Sequence, residues 1–196
     1  MGVLDKHIKD STLIIVLAMS IMSAGVVFGS ICLMQMGAED VTSLGEYLKN
    51  FLNASQSKIN AYDVFKNAFR ENLIYFAVVF FAGFFRIGLI FIAAALVRKG
   101  FIIGFTSAAF IKFYGAKGLL VTISMLPGIV LLIPAFLFLS AVSAKLSVRR
   151  IKTEKNFLIY YIFFAAVIVS IFCVSALSEG YLTTTFMKLI SPTIIK

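Results

Sequence analysis

Apolar and polar positions along the chain separate into long greasy blocks and brief charged punctuation. Five blocks stand out, at residues 12–34, 73–97, 100–114, 119–144 and 157–178. A helix needs ~20 predominantly apolar residues to cross a hydrocarbon core about 30 Å thick, and these blocks reach or approach that length. None shows the two-residue alternation of a lipid-facing barrel strand, so helices are the spanning element. The pattern predicts an all-α fold: a polytopic membrane helix bundle of about five transmembrane segments, forming a single integral membrane domain over residues 1–196.

Its middle predicts short or broken helices. Block 100–114 spans only ~22 Å as a helix. Five crossings is one reading; in the other, 73–97 and 100–114 are both re-entrant, which preserves parity and leaves three. Block 119–144 carries Pro127 and Pro134 on one face, two turns apart. Each removes a backbone donor and crowds the preceding turn, which predicts a kink or interruption. Interrupted helices expose backbone to substrates in transporters, and prolines also serve as plain bends in membrane helices.

The loop at 35–72 has helical character of its own. Val41, Leu44, Leu48, Phe51 and Leu52 share one face, with Ser43 and Glu46 spaced for a capping box; Ile59, Tyr62, Phe65, Ala68 and Phe69 repeat the pattern. Such helices either lie on the outer leaflet and cover the bundle, or present Leu44, Leu48, Phe51, Tyr62, Phe65 and Phe69 as a partner-docking surface.

Charge then sets orientation. The net charge of +9 comes from Lys and Arg placed mostly at block ends, a signature of topology and of affinity for anionic headgroups, with no nucleic-acid partner implied. The stretch from Lys145 to Lys155, KLSVRRIKTEK, is the densest basic cluster and belongs in the cytoplasm. Alternating crossings then put the N-terminus and Arg98-Lys99 inside, and the 35–72 loop, Lys117 and the C-terminal tail outside. The first block is too long for a signal-peptide core and lacks a small-x-small cleavage site, so it reads as a retained helix. Cys32 and Cys173 lie within apolar blocks and read as small buried hydrophobes.

Candidate chemistry is sparse. Within the blocks the charged residues are Arg86 and Lys112, with no Asp, Glu or His beside them. Proton-coupled transport, metal binding and intramembrane proteolysis each need such groups, so the sequence predicts no catalytic, cofactor or metal site and no enzyme. Arg86, between Gly83 and Gly88, is expected to face protein or water, donating to carbonyls freed by the prolines or meeting an outside partner. Lys112, near its block end, can snorkel. Gly25 with Gly29, Gly100 with Gly104, and Ser140 with Ala144 form small-xxx-small pairs, expected mainly as contacts between helices of one chain; a homo-oligomer is also compatible with them.

The run from Arg98 to Ala144 resembles the stage II sporulation protein M family of endospore-forming bacteria. The matching features are Lys99-Gly100, Gly104-Phe105, Gly118-Leu119-Leu120, and the LPGI and LLIPAF blocks around Pro127 and Pro134. The glycine placement in AGFFRIGLIFIAAALV is similar too. This resemblance implies an engulfment protein of the mother cell membrane, at the septum: a noncatalytic scaffold that recruits and localises peptidoglycan-degrading enzymes, the stage II sporulation proteins D and P. The rival expectation, from the broken fourth block and Arg86, is a small transporter or channel for an anionic solute or lipid.

Overall fold

The computed structural model describes residues 2–57, 60–148 and 155–195, with side chains over 12–54, 60–148 and 160–190. The chain is helical almost throughout: α1 (Gly2–Met34), α2 (Ala38–Ser57), α3 (Ala61–Ala82), α4 (Gly88–Tyr114), α5 (Ala116–Val148), α6 (Lys155–Leu177), a π-helical turn (Ser178–Thr183) and α7 (Thr184–Ile195). Among the described residues, four stretches are long and apolar enough to cross a membrane: Thr12–Met34, Gly88–Tyr114, Ala116–Val148 and Tyr160–Ile190. The protein is a polytopic helical membrane bundle. Ile59 and most of the basic stretch that anchors the orientation, residues 149–154, lie outside the described residues.

Breaks fall where local chemistry permits them. Asn60 caps α3 by accepting from the Tyr62 amide at 3.1 Å. The second helix begins at Ala38, with Glu39 and Asp40 in its first turn beside the orphan amides, so Ser43 and Glu46 lie inside the helix and form no capping box. Gly115 adopts φ 58°, a conformation that favours glycine, and its amide bonds the Ile111 carbonyl at 2.8 Å. The next helix starts at Ala116, so α4 reverses into α5 through one residue.

The largest departure from the sequence reading concerns 73–114. Block 73–97 is not one helix; α3 ends at Ala82, residues 83–87 turn, and α4 runs unbroken from Gly88 through Arg98, Lys99 and Gly100 to Tyr114. The turn is concealed by its own composition, Gly-Phe-Phe-Arg-Ile. It is held by Phe84 and Phe85 amides bonding the Phe81 and Ala82 carbonyls at 3.0 and 3.1 Å. Gly88 packs so close to the Ala82 carbonyl that a side chain there would collide with it. Of the five expected blocks, 73–97 and 100–114 give one stretch long and apolar enough to cross, Gly88–Tyr114, and the reversal sits fifteen residues earlier than the charges at 98–99 suggest.

Contacts fix the helix directions. Gly25 and Gly29 of α1 lie against the Val97 and Phe101 carbonyls of α4, and Gly100 and Gly104 lie against those of Met22 and Val26. Both sets of numbers rise together, so α1 and α4 are parallel, joined by two interlocked glycine pairs. Ser30 Oγ crosses this seam to the Gly104 carbonyl at 3.3 Å. Lys112 Nζ donates to the Leu33 carbonyl, also at 3.3 Å, so this cation neutralises the C-terminal end of α1 rather than simply snorkelling. The fifth helix runs antiparallel to α4, since Gly118 meets Phe110 at one end and Ser147 Oγ donates to the Phe85 carbonyl at 2.6 Å at the other. Tyr161 at one end of α6 and Ser175 Oγ bonding the Gly128 carbonyl at 2.9 Å at the other run α6 antiparallel to α5.

Two apolar clusters fill the bundle. The larger, around Val79, Leu96, Phe136, Leu139 and Phe172, lies toward the α3–α4 turn; the smaller, around Leu33, Leu52, Phe110, Val121 and Met187, lies toward the α4–α5 turn and includes α2. Near the α3–α4 turn, Tyr161 Oη donates to the Phe80 carbonyl at 3.0 Å and lies 3.0 Å from Ser143 Oγ, while its ring stacks on Phe80 at 4.7 Å. Tyr161→Phe is expected to lower stability by about 0.5–2 kcal/mol, read as a lower thermal midpoint in detergent, since hydrogen bonds in membrane bundles are individually modest.

Candidate functional site

Between the two apolar clusters lies a cavity of about 300 Å³, walled by residues of both, including Ile103, Leu132, Met125 and Met187. It also holds what the sequence reading finds missing. Glu71 of α3, Lys99 of α4 and Glu179 of the π-helical turn all line it. Lys99 follows Gly88 by eleven residues, about 16 Å along α4 and near the middle of that apolar stretch, whereas Glu71 is exposed on the polar half of α3, beside the exposed Arg70. Isolated charges at that depth are costly, and these compensate one another: Lys99 lies in the fields of both Glu179 and Glu71. Arg98, 5.4 Å from the Tyr75 ring centroid, adds a second cation, and Lys99 Nζ approaches the same ring at 4.9 Å. Phe136 holds that ring edge-on at 6.0 Å. The charged groups of the cavity wall are thus two carboxylates and one ammonium, with the exposed Arg98 beside them.

The π-helical turn explains how Glu179 gets there. Residues 157–178 read as a block ending at a charge, with a tail beyond; instead helix continues through Ser178–Thr183 into α7. The widened turn carries one residue more than an α-turn and so resets which face the following residues present. Its loosened carbonyls are met by hydroxyls: Thr184 Oγ1 donates to Gly180 and Tyr181, and Thr185 Oγ1 to Tyr181 at 2.7 Å. Gly180 packs on the start of α3 at Ala61 and Phe65, and Gly128 of α5 leaves room for the Glu179 side chain. Thr183 Oγ1, which shares the cavity wall, and the Tyr75 hydroxyl and Asn72 Nδ2 are buried with no hydrogen-bond partner among the described residues.

The residues singled out from sequence fall elsewhere. Arg86 is exposed in the α3–α4 turn, next to the exposed Phe85 and Ile87. It cannot serve carbonyls freed by Pro127 and Pro134, because its turn meets α5 at Ser147, thirteen residues or about 20 Å beyond Pro134. Both prolines sit inside α5, which continues through them. Leu48 is buried, and Leu44 and Phe51 pack with it into the smaller apolar cluster, so most of the face expected to meet a partner is spent on the chain's own core. Phe65 stacks on Phe69 at 6.0 Å; Tyr62 remains 58% exposed, and Tyr47 of α2 66%. Cys32 and Cys173 are free thiols, each half-buried. Among the residues described, no group of three or more His, Cys, Asp or Glu is placed to hold a metal.

Sequence reasoning missed Glu71, Lys99 and Glu179 because each was read as a boundary. One signal was present: Glu179 is the lone acid between Lys155 and the C-terminus, followed by a further helix-length stretch in which apolar residues recur.

A family model described as stage II sporulation protein M matches residues 16–184, which include α2 to α6 and the π-helical turn and stop at the start of α7. Comparison with curated proteins and with solved structures gives no significant match.

Proposed function

The chain belongs to the stage II sporulation protein M family, matched over residues 16–184, and from that premise we propose that it is a noncatalytic membrane scaffold that gathers septal peptidoglycan-degrading enzymes during engulfment. The partners are the stage II sporulation proteins D and P, and the membrane is that of the mother cell, with the N-terminus cytoplasmic and the C-terminus outside. The family match carries this reading. It is supported by the form of α2, a helix packed onto α7 and the end of α4, with Tyr47 of α2 and Tyr62 of α3 exposed. Docking falls to that exposed side, because the apolar side is occupied.

Affinity purification of the tagged full chain from sporulating cells, with mass spectrometry of what accompanies it, tests the proposal. Both hydrolases should be recovered. Charge reversal on these two helices, Lys49→Glu with Lys66→Glu, should reduce their recovery about tenfold, equivalent to ~1.4 kcal/mol. Undiminished recovery after reversal removes the docking surface, and absence of both enzymes from the wild-type sample removes the scaffold reading. Arg86→Met should leave insertion and recovery unchanged, as expected for an exposed turn residue.

The alternative, a transporter or channel, loses Arg86 as its anion site. It gains the charged cavity, which calls for a ligand of different chemistry.

A further inference from the structure

We propose that a second cavity, the groove between α1 and α4 toward their C-terminal ends, binds one anionic phospholipid, with phosphate oxygens at Lys112 and an acyl chain along the groove. The groove holds about 650 Å³, and every residue lining it belongs to one of these two helices, both long and apolar enough to cross a membrane. Small side chains make it hollow: Gly104, Ser107 and Ala108 on one wall and Ser30 on the other leave space that larger residues would fill. Met34 and Ile111, 74% and 45% exposed, also line it, so it opens on the outside of the bundle.

Because α1 and α4 run parallel, both walls end on the same side of the membrane. Lys112 stands two residues from the end of α4 and Met34 is the last residue of α1, so the charged end of the groove lies at headgroup level. Val26 and Gly104 mark the other end, each eight residues deeper, about 12 Å along its helix and within hydrocarbon. A molecule with a polar head above and a chain below matches that order. Charge then selects the head. An ammonium carries three donors, and Lys112 gives one to the Leu33 carbonyl at 3.3 Å, leaving two for acceptor oxygens of a ligand. No carboxylate lines the groove, so nothing there takes the ammonium of a zwitterionic headgroup. Ser30, deeper in the groove, already donates to the Val26 and Gly104 carbonyls at 3.0 and 3.3 Å and asks nothing of a ligand. A neighbouring helix laid in the groove would cover Lys112 without supplying acceptor oxygens, whereas a lipid phosphate brings them to the depth at which the ammonium stands. The site depends on the pairing of α1 with α4 alone, whichever enzymes the scaffold recruits.

Native mass spectrometry of the detergent-solubilised full chain, incubated with equimolar phosphatidylglycerol, phosphatidylethanolamine and phosphatidylcholine, tests it. One phosphatidylglycerol should be retained, favoured about fivefold or more over each of the others, as expected for one Lys facing an anionic headgroup. Lys112→Met should erase the preference, and Lys112→Arg should keep it. Lys188→Met removes a cation of α7 and should leave the preference unchanged, which separates the groove from the general attraction of a basic chain for anionic lipid. Ala108→Leu fills the groove with Lys112 intact, and should reduce retention about tenfold at an unchanged thermal midpoint. Equal retention of the three lipids, a preference that survives Lys112→Met, displacement of the lipid by inorganic phosphate, undiminished binding by Ala108→Leu, or a dimer that retains no lipid would each overturn the proposal. Should Ala108→Leu fail to fold, the lipid ranking and the lysine variants decide it alone.

Discussion

Gly100→Leu is expected to abolish the folded protein. Gly100 sits where α4 meets the Met22 carbonyl of α1, and the obstruction is backbone, so no rotamer change can make room. Overpacking a core usually costs about 1–3 kcal/mol when neighbouring side chains can yield. Here the two helices must part along a seam built from four glycines, and the Ser30 bond to Gly104 goes with it. A loss of about 3 kcal/mol or more is a large share of the stability of a marginal fold. Size-exclusion profile and thermal unfolding in detergent provide the readout. Gly37→Ala is the control, since its nearest neighbour would be Asp40 Oδ2 at 3.9 Å, and it should behave as wild type. A Gly100→Leu protein that elutes as a single peak with an unchanged midpoint would contradict the seam.

Lys99→Met should destabilise more than Lys99→Met combined with Glu179→Gln. Removing one partner leaves a carboxylate uncompensated at mid-depth, a loss of about 3–5 kcal/mol for buried pairs, whereas removing both exchanges a pair for neutral groups at far lower cost. The expected order of thermal midpoints is therefore wild type, then double variant, then single variant, with a coupling of about 1–3 kcal/mol between the sites. Additive effects would mean that Lys99 and Glu179 do not share a field.

Fold class was legible because apolar length is a direct consequence of bilayer thickness, and the helical character of 41–52 was legible because its apolar positions recur at helical spacing. What misled was the assumption that charge marks an edge. Arg98-Lys99 looks like a loop and Glu179 like the start of a tail, yet Lys99 lies in the field of Glu179 on the wall of one cavity, an arrangement between residues some eighty positions apart that no local window reveals. Conversely, the turn at 83–87 is mostly apolar, so hydropathy carries straight through it. Arg86 and Lys99 thus hold the reverse of the positions that sequence assigns them: the first lies at a reversal and the second at depth. The face of α2 misled for a related reason, since an amphipathic helix looks the same from sequence whether its apolar side meets a partner or the chain's own core.

The parallel pairing of α1 with α4 has a consequence for biogenesis. Ser30 and the Gly104 carbonyl it reaches are 74 residues apart, and a ribosome adding about 5–20 residues per second needs several seconds to bridge that gap. Throughout that interval the first span resides in lipid with its small-residue groove unfilled, able to pair with the same groove on a neighbouring nascent chain. Crowded translation of this message should therefore favour premature dimers through α1, and slowing initiation should relieve them.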